Sequence, residues 1–123
     1  MNCLKLFVVS TFAALALGQD ASANPSARIQ VSDIKPLLIR AIDQGSAQGV
    51  LVGEAASYVR QKFASTAPIE IDVRTLYALP QPGCSRLDVT TRQKDVLEKA
   101  KRGDKELTYQ VSYCRDGRFP EKR

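Results

Sequence analysis

The chain has 123 residues, which is enough for one domain and leaves little room for a second. Lys and Arg total 18 and Asp and Glu total 13, so the net charge is +5, and a hydrophobic share of 44% is ordinary for a folded domain. Because the chain contains no His, catalysis by Ser-His-Asp or Cys-His arrangements and zinc binding through imidazole are excluded.

Residues 1–23 are typical of a secretory signal peptide. Lys5 precedes an apolar run over residues 6–18, and Ala21-Ser22-Ala23 forms a small-residue cleavage motif. The run is shorter than the about 20 apolar residues that span a bilayer, which favours a cleaved signal over a membrane anchor. We therefore expect no transmembrane segment after signal removal, and a periplasmic or secreted protein.

Two cysteines remain after that cleavage, Cys84 and Cys114. An even pair in a small exported protein predicts one disulfide bond. If the two cysteines face each other on antiparallel strands, the same register creates one apolar and one polar face. The pairs brought opposite each other are Leu87 with Val111 and Val89 with Tyr109 on the apolar face, and Arg86 with Ser112, Asp88 with Gln110 and Thr90 with Thr108 on the polar face.

The remaining pattern predicts a leader over residues 24–30 and a single domain over residues 31–123. Apolar spacings of three and four predict a first helix that Gly45 ends and a second helix from Leu51 to Phe63, with a short turn between them. Alternation predicts strands around residues 69–74, 84–90 and 107–113, and the charge-dense residues 93–106 are expected to form a mobile hairpin loop. The predicted fold class is α+β, with two N-terminal helices packed on a three-stranded antiparallel meander that carries one disulfide.

Spacings typical of enzymes are missing from the sequence. Glu70 and Asp72 could form a catalytic pair of carboxylates, but side chains two residues apart on an exposed strand face are what simple alternation produces. The acidic residues and the two cysteines match no metal-ligand spacing, and residues 49–53 lack the Gly-Lys-Ser/Thr ending of a phosphate-binding loop. We therefore predict no catalytic, cofactor-binding or metal-binding residues, and a protein that is not an enzyme.

Loop aromatics and loop cations are the candidate binding residues. Tyr77 and Phe119 are each near a proline in a predicted loop, where an exposed aromatic ring could anchor a protein partner. The candidate partner-binding residues are Tyr77, Arg115, Arg118 and Phe119. The candidate polyanion-binding residues surround the predicted hairpin loop: Lys94, Lys99, Lys101, Arg102 and Lys105. Because acidic residues are interleaved with these cations, a solvated loop of mixed charge is favoured over a nucleic-acid site.

Four short segments carry a resemblance to a known group of proteins. They are residues 49–55 (GVLVGEA), 69–73 (IEIDV), 82–87 (PGCSRL) and 113–117 (YCRDG), the last followed by Pro120. In these segments the chain resembles small exported accessory proteins encoded in bacterial conjugative-transfer and integrating-conjugative-element clusters. The resemblance implies a type IV secretion setting, without a defined activity or transferable functional residues.

These observations predict a non-enzymatic periplasmic accessory protein that binds a protein partner, in conjugation or type IV secretion. The alternative is a secreted inhibitor that blocks a hydrolase with the loop after Cys114. A disulfide-braced loop suits that role because a pre-ordered segment loses less entropy on binding.

Overall fold

The computed structural model describes residues 27–121. In chain order the elements are β1 (Ile29–Val31), α1 (Lys35–Gln44), β2 (Ser46–Leu51), α2 (Glu54–Lys62), β3 (Glu70–Ala78), β4 (Cys84–Glu98) and β5 (Lys101–Cys114). The strands form one sheet whose spatial order follows chain order. β1 and β2 are parallel and joined through α1, whereas β2 to β5 are successive antiparallel neighbours.

The predicted fold class is wrong. The sheet has five strands and is mixed, and β1 and β2 put a strand before each helix. β2 replaces the predicted turn, and Leu51 belongs to this strand rather than to α2. The reason is local: the β2 sequence SAQGVL is made largely of small residues, so it carries no strong alternation, and β1 is only 3 residues long.

α1 covers one face of the sheet. The Asp33 carboxylate accepts a hydrogen bond from the Lys35 N–H at 2.8 Å, before the first turn, which contains Pro36. At the other end Gly45 adopts a left-handed φ of 90°, and its N–H donates to the Ala41 carbonyl. The helix buries Leu37, Leu38 and Ala41, and these residues join the main core, which includes Val31, Ala47, Ile71, Val73, Leu87, Val89 and Tyr113.

The β4–β5 hairpin confirms the register that the cysteines predict. Cys84 faces Cys114 and is joined to it by the disulfide. All the residue pairs predicted for the apolar and polar faces lie opposite each other as expected. Leu87 and Val89 are completely buried. The sequence thus predicts both the covalent link and the side-chain alternation of this part of the sheet.

The predicted mobile loop over residues 93–106 is wrong. The two strands continue through this region as a long arm, with an irregularity between Gln93 and Val96. Lys99 and Ala100 form the turn at its end and have φ values of 50° and 63°. Most side chains of the arm are exposed on either face, so charges occupy both faces and no apolar alternation marks the strands.

The predicted signal peptide and leader concern the N-terminal region. The predicted signal peptide, residues 1–23, lies outside the described residues. The predicted leader, residues 24–30, overlaps β1 at Ile29 and Gln30. Neither helix in residues 27–121 has the length and hydropathy needed to cross a membrane.

Candidate functional site

An apolar groove of about 500 Å³ lies on the helix side of the sheet. Ile34 and Leu51 contribute from the β1–β2 side, and α2 contributes Val59, with Phe63 directly after it. Leu107 and Tyr109 contribute from β5, which is the opposite edge of the sheet. The groove therefore runs beside α1 across the strands.

The groove exists because α2 does not pack into the core as α1 does. Ala56 is the single buried residue of α2, whereas α1 buries three. Tyr58, also on α2, is 64% exposed. The helix layer is thus complete over one part of the sheet and open over the other.

The hairpin arm fastens the segment that follows α2. The Leu97 N–H donates to the Phe63 carbonyl at 2.8 Å. The Ser65 hydroxyl donates to the Lys94 carbonyl at 2.7 Å, and the Gln93 side-chain amide donates to the Ala67 carbonyl at 3.1 Å. Ser65 and Gln93 are both buried. These contacts attach the segment after α2 to β4.

Two apolar side chains of β5 line the groove while remaining exposed. Leu107 is 56% exposed and Tyr109 is 41% exposed, although the sequence placed Tyr109 opposite Val89 on the apolar face of the hairpin. Tyr113 is almost fully buried, at 1% exposure. The difference arises from α1, which contacts the Tyr113 end of the sheet and leaves the Leu107 end uncovered.

Lys105 is the cation at the β5 side of the groove. Its ammonium lies 4.7 Å from the centre of the Phe63 ring and donates a hydrogen bond to the Glu98 carboxylate at 2.8 Å. That hydrogen bond and the charge of Lys105 lower the pKa of Glu98. In the groove itself, partial burial raises the pKa of the Tyr109 hydroxyl, so this phenol is neutral at physiological pH.

The four candidate partner-binding residues do not form one surface. Tyr77 is exposed and faces Arg86 on the open side of the sheet. Phe119 is 68% exposed and packs edge-on against the buried Tyr113 ring, with 5.3 Å between ring centres. Arg115 forms an exposed ion pair with Asp43, which is in the last turn of α1. Arg118 accepts a hydrogen bond from the Cys114 N–H through its carbonyl.

The five candidate polyanion-binding residues lie along the hairpin arm. Arg102 donates to the Ala64 and Asp95 carbonyls and pairs with the Asp95 carboxylate. Lys105 pairs with Glu98. Lys94, Lys99 and Lys101 are exposed, and among the described residues they have no ion-pair partner within 4.0 Å. Two of the five charges are thus partly compensated within the arm.

The open face of the sheet carries a compensated network of charges. Arg28 donates to Asp72 at 2.8 Å and lies 3.4 Å from Glu70, and Arg92 donates to the other Asp72 oxygen. These contacts tie the start of β1 to β3 and β4. Within residues 27–121 no group of three or more His, Cys, Asp or Glu residues is placed to hold a metal ion.

Sequence reasoning missed the groove, although some of its residues are in predicted apolar elements. Phe63 ends the predicted second helix and Tyr109 is on the predicted apolar strand face, and such a face is ordinarily interpreted as core. Sequence spacing shows that a face is apolar but not whether a second element covers it. The observation that α2 lies away from the sheet needed the three-dimensional structure.

Comparison with known proteins assigns no family. A scan against protein-family models finds no matching model, and searches of curated proteins and of solved structures find no significant match.

Proposed function

We propose that this chain is a small accessory protein that acts by binding, and that the apolar groove between α2 and β5 holds an apolar segment of a protein partner. The observation that carries the proposal is the exposure of Leu107 and Tyr109 in a groove whose lining is mostly apolar. Exposed apolar surface that is contiguous and bordered by polar residues is typical of interaction sites.

The size of the groove supports a peptide-like occupant. A volume of about 500 Å³ is within the range of small-ligand sites and holds a few side chains of a helix or an extended segment. The charged residues in its lining, Asp33 and Lys105, come from opposite edges of the sheet. They suit a segment with an apolar centre and polar flanks better than a charged ligand.

The cellular setting belongs to the same proposal. A disulfide bond between Cys84 and Cys114 is characteristic of proteins in oxidising compartments. Together with the predicted signal peptide, it supports export to the periplasm or beyond. The resemblance in four short segments supports a role beside a conjugation or type IV secretion apparatus, where the occupant of the groove would be part of another envelope protein.

Site-specific photo-crosslinking in the source cell tests this function. A photoreactive amino acid at Leu107 reports on the groove, and the same amino acid at Thr108 is a matched control because this neighbour is also exposed but belongs to the open face. We expect a crosslink to a protein other than a second copy of this chain at Leu107 only. A synthetic peptide covering the crosslinked segment should then bind the unmodified chain and lose at least about tenfold in affinity to Leu107→Arg. Equal crosslinking of another protein at both positions, or peptide binding that Leu107→Arg leaves unchanged, would contradict the proposal.

A second candidate function is inhibition of a hydrolase by the loop after Cys114. The favouring observation is the bracing of that loop: the Tyr113 hydroxyl donates to the Gly117 carbonyl at 2.7 Å, and the Cys114 N–H donates to the Arg118 carbonyl at 2.9 Å. Arg118 and Phe119 are exposed on this braced segment. The inhibitor function predicts that Arg118→Ala and Phe119→Ala weaken inhibition of periplasmic hydrolases without lowering thermal stability, whereas loss of folding in both variants would remove its basis.

A further inference from the structure

The outer edge of β5 has free backbone hydrogen-bonding groups. β5 is last in the sheet order, and within residues 27–121 no strand pairs with its outer edge. The Cys114 N–H donates to Arg118, while the next N–H, that of Arg115, donates to Gly83 on the β4 side. Because backbone groups alternate in direction along an antiparallel strand, the even-numbered residues Thr108 and Gln110 direct their N–H and C=O groups outward.

Half of this edge lacks the features that protect a free strand. Proteins discourage edge pairing with charged residues, proline, bulges or very short strands. Residues 101–106 (KRGDKE) contain such charges, but residues 107–113 (LTYQVSY) contain no charge and no proline. At the opposite edge of the sheet, β1 is only 3 residues long. A seven-residue uncharged segment of high β propensity is an aggregation hazard unless another chain covers it.

We propose that a second copy of this chain covers the edge, by antiparallel pairing of β5 with β5 around a two-fold axis at Thr108. In this register Thr108 faces its own counterpart, and Glu106 faces Gln110 of the second copy. On the groove side, Leu107 lies opposite Tyr109 of the second copy, and the two-fold axis repeats this edge contact. The two five-stranded sheets would join into one.

Charge and backbone contacts disfavour three neighbouring registers. An axis at Glu106 would place two carboxylates opposite each other, which is destabilising. An axis at Gln110 would require the Cys114 N–H, which is already bonded to Arg118. An axis at Leu107 would place Tyr109 opposite Lys105, whose ammonium is held by Glu98. With the axis at Thr108, every charged side chain between residues 104 and 112 faces an uncharged one.

A cysteine at the axis tests the register directly. In the proposed dimer the Cα atoms of the two Thr108 residues are about 5.5 Å apart, within the range that a disulfide spans. Under mild oxidation Thr108→Cys should therefore form a covalent dimer. Gln110→Cys is the matched control, because it lies on the same strand and face but would be about 13 Å from its own counterpart. Mixing Gln110→Cys with Glu106→Cys should restore crosslinking, and peptide mapping should show Cys84–Cys114 intact in each product.

Sedimentation velocity on the unmodified chain gives an independent test. We expect reversible dimerisation, and Thr108→Pro should weaken it by at least about tenfold. This proline removes an outward N–H and spares the β4–β5 ladder, so the circular dichroism spectrum should be unchanged. If Thr108→Pro unfolds, Leu107→Lys replaces it as the weakening variant.

Three results would overturn the proposed dimer. They are a monomer at every concentration that forms no crosslink, equal crosslinking of Thr108→Cys and Gln110→Cys, and a monomer that instead binds an extended peptide along β5. The cysteine-crosslinking test does not depend on the occupant of the groove, because the crosslinking positions are on the open face. Failure of the dimer would leave the proposed partner binding in place, and the converse also holds.

Discussion

Leu37 occupies the space directly above Gly49. A Cβ atom at position 49 would lie 2.6 Å from Leu37 Cδ1 and 3.0 Å from the Ile29 carbonyl oxygen. Leu37 is completely buried, so its side chain has no room to move aside. α1 can therefore approach the sheet closely only because position 49 has no side chain, and the same contact brings β1, α1 and β2 together.

We expect Gly49→Ala to destabilise the fold by about 1–3 kcal/mol, the usual cost of overpacking a core. Urea unfolding of the purified chain measures the change. Gly103→Ala is the matched control, because a Cβ at Gly103 would have no heavy atom within 4 Å and its φ is not in the left-handed region. Equal stability of the two variants would show that the core adjusts around position 49.

The sequence predicted the β4–β5 register because several independent signals agree there. Cys84 and Cys114 define one pairing, and Leu87, Val89 and Val111 then fall on a common face. The strands β1 and β2 lack such agreement: β2 has Gly49 where a strand ordinarily has an apolar side chain, and that glycine serves contact with Leu37. Because β2 is specified by a tertiary contact and not by alternating side chains, the sequence pattern predicted a turn there.

The candidate site shows a second limit of prediction from the sequence. Alternation correctly assigns Leu107 and Tyr109 to the helix side of the sheet. It cannot show that the covering element ends before these residues, because that depends on how the segment after α2 binds the hairpin arm through Ser65 and Gln93. Whether an apolar face is exposed depends on how the helices pack on the sheet. The residue pattern of one strand does not show this.

The disulfide should supply a large part of the stability. Cys84 and Cys114 are separated by 30 residues, and closing a loop of this size stabilises a fold by about 3–4 kcal/mol in the chain-entropy model. We expect Cys84→Ser to lose that amount in urea unfolding and to fall in steady-state abundance in cells. Reductant should destabilise the unmodified chain similarly and leave Cys84→Ser unaffected, and unchanged stability in either case would contradict a structural role.

Asp72 should matter more than the other acidic residues of the open face. It accepts hydrogen bonds from both Arg28 and Arg92, and its side chain is 26% exposed. We expect Asp72→Asn to cost about 1–2 kcal/mol, because two guanidinium groups lose a charged partner in a partly buried position. Amide hydrogen exchange should show faster opening of β1, which Arg28 ties to β3.

The control for Asp72 is Asp88→Asn. Asp88 pairs with Arg74, whose side chain is 70% exposed, and exposed ion pairs contribute at most about 1 kcal/mol. The control should therefore lose less stability than Asp72→Asn and leave exchange in β1 unchanged. Similar losses in the two variants would mean that Asp72 does not anchor the beginning of β1.

Tyr109 makes the stability of the fold sensitive to alkaline pH. Partial burial raises the pKa of its hydroxyl in the folded chain above the about 10 of an exposed tyrosine, because burial disfavours the phenolate. The stabilisation from the neutral phenol is therefore fully present below pH 10 and is lost as the pH rises through the folded value. Comparing urea unfolding of the unmodified chain and Tyr109→Phe from pH 8 to pH 11 measures it. The difference in their unfolding free energies should be constant below about pH 9, and above pH 10 the unmodified chain should lose stability faster, whereas parallel curves over the whole range would show that the groove does not bury this hydroxyl.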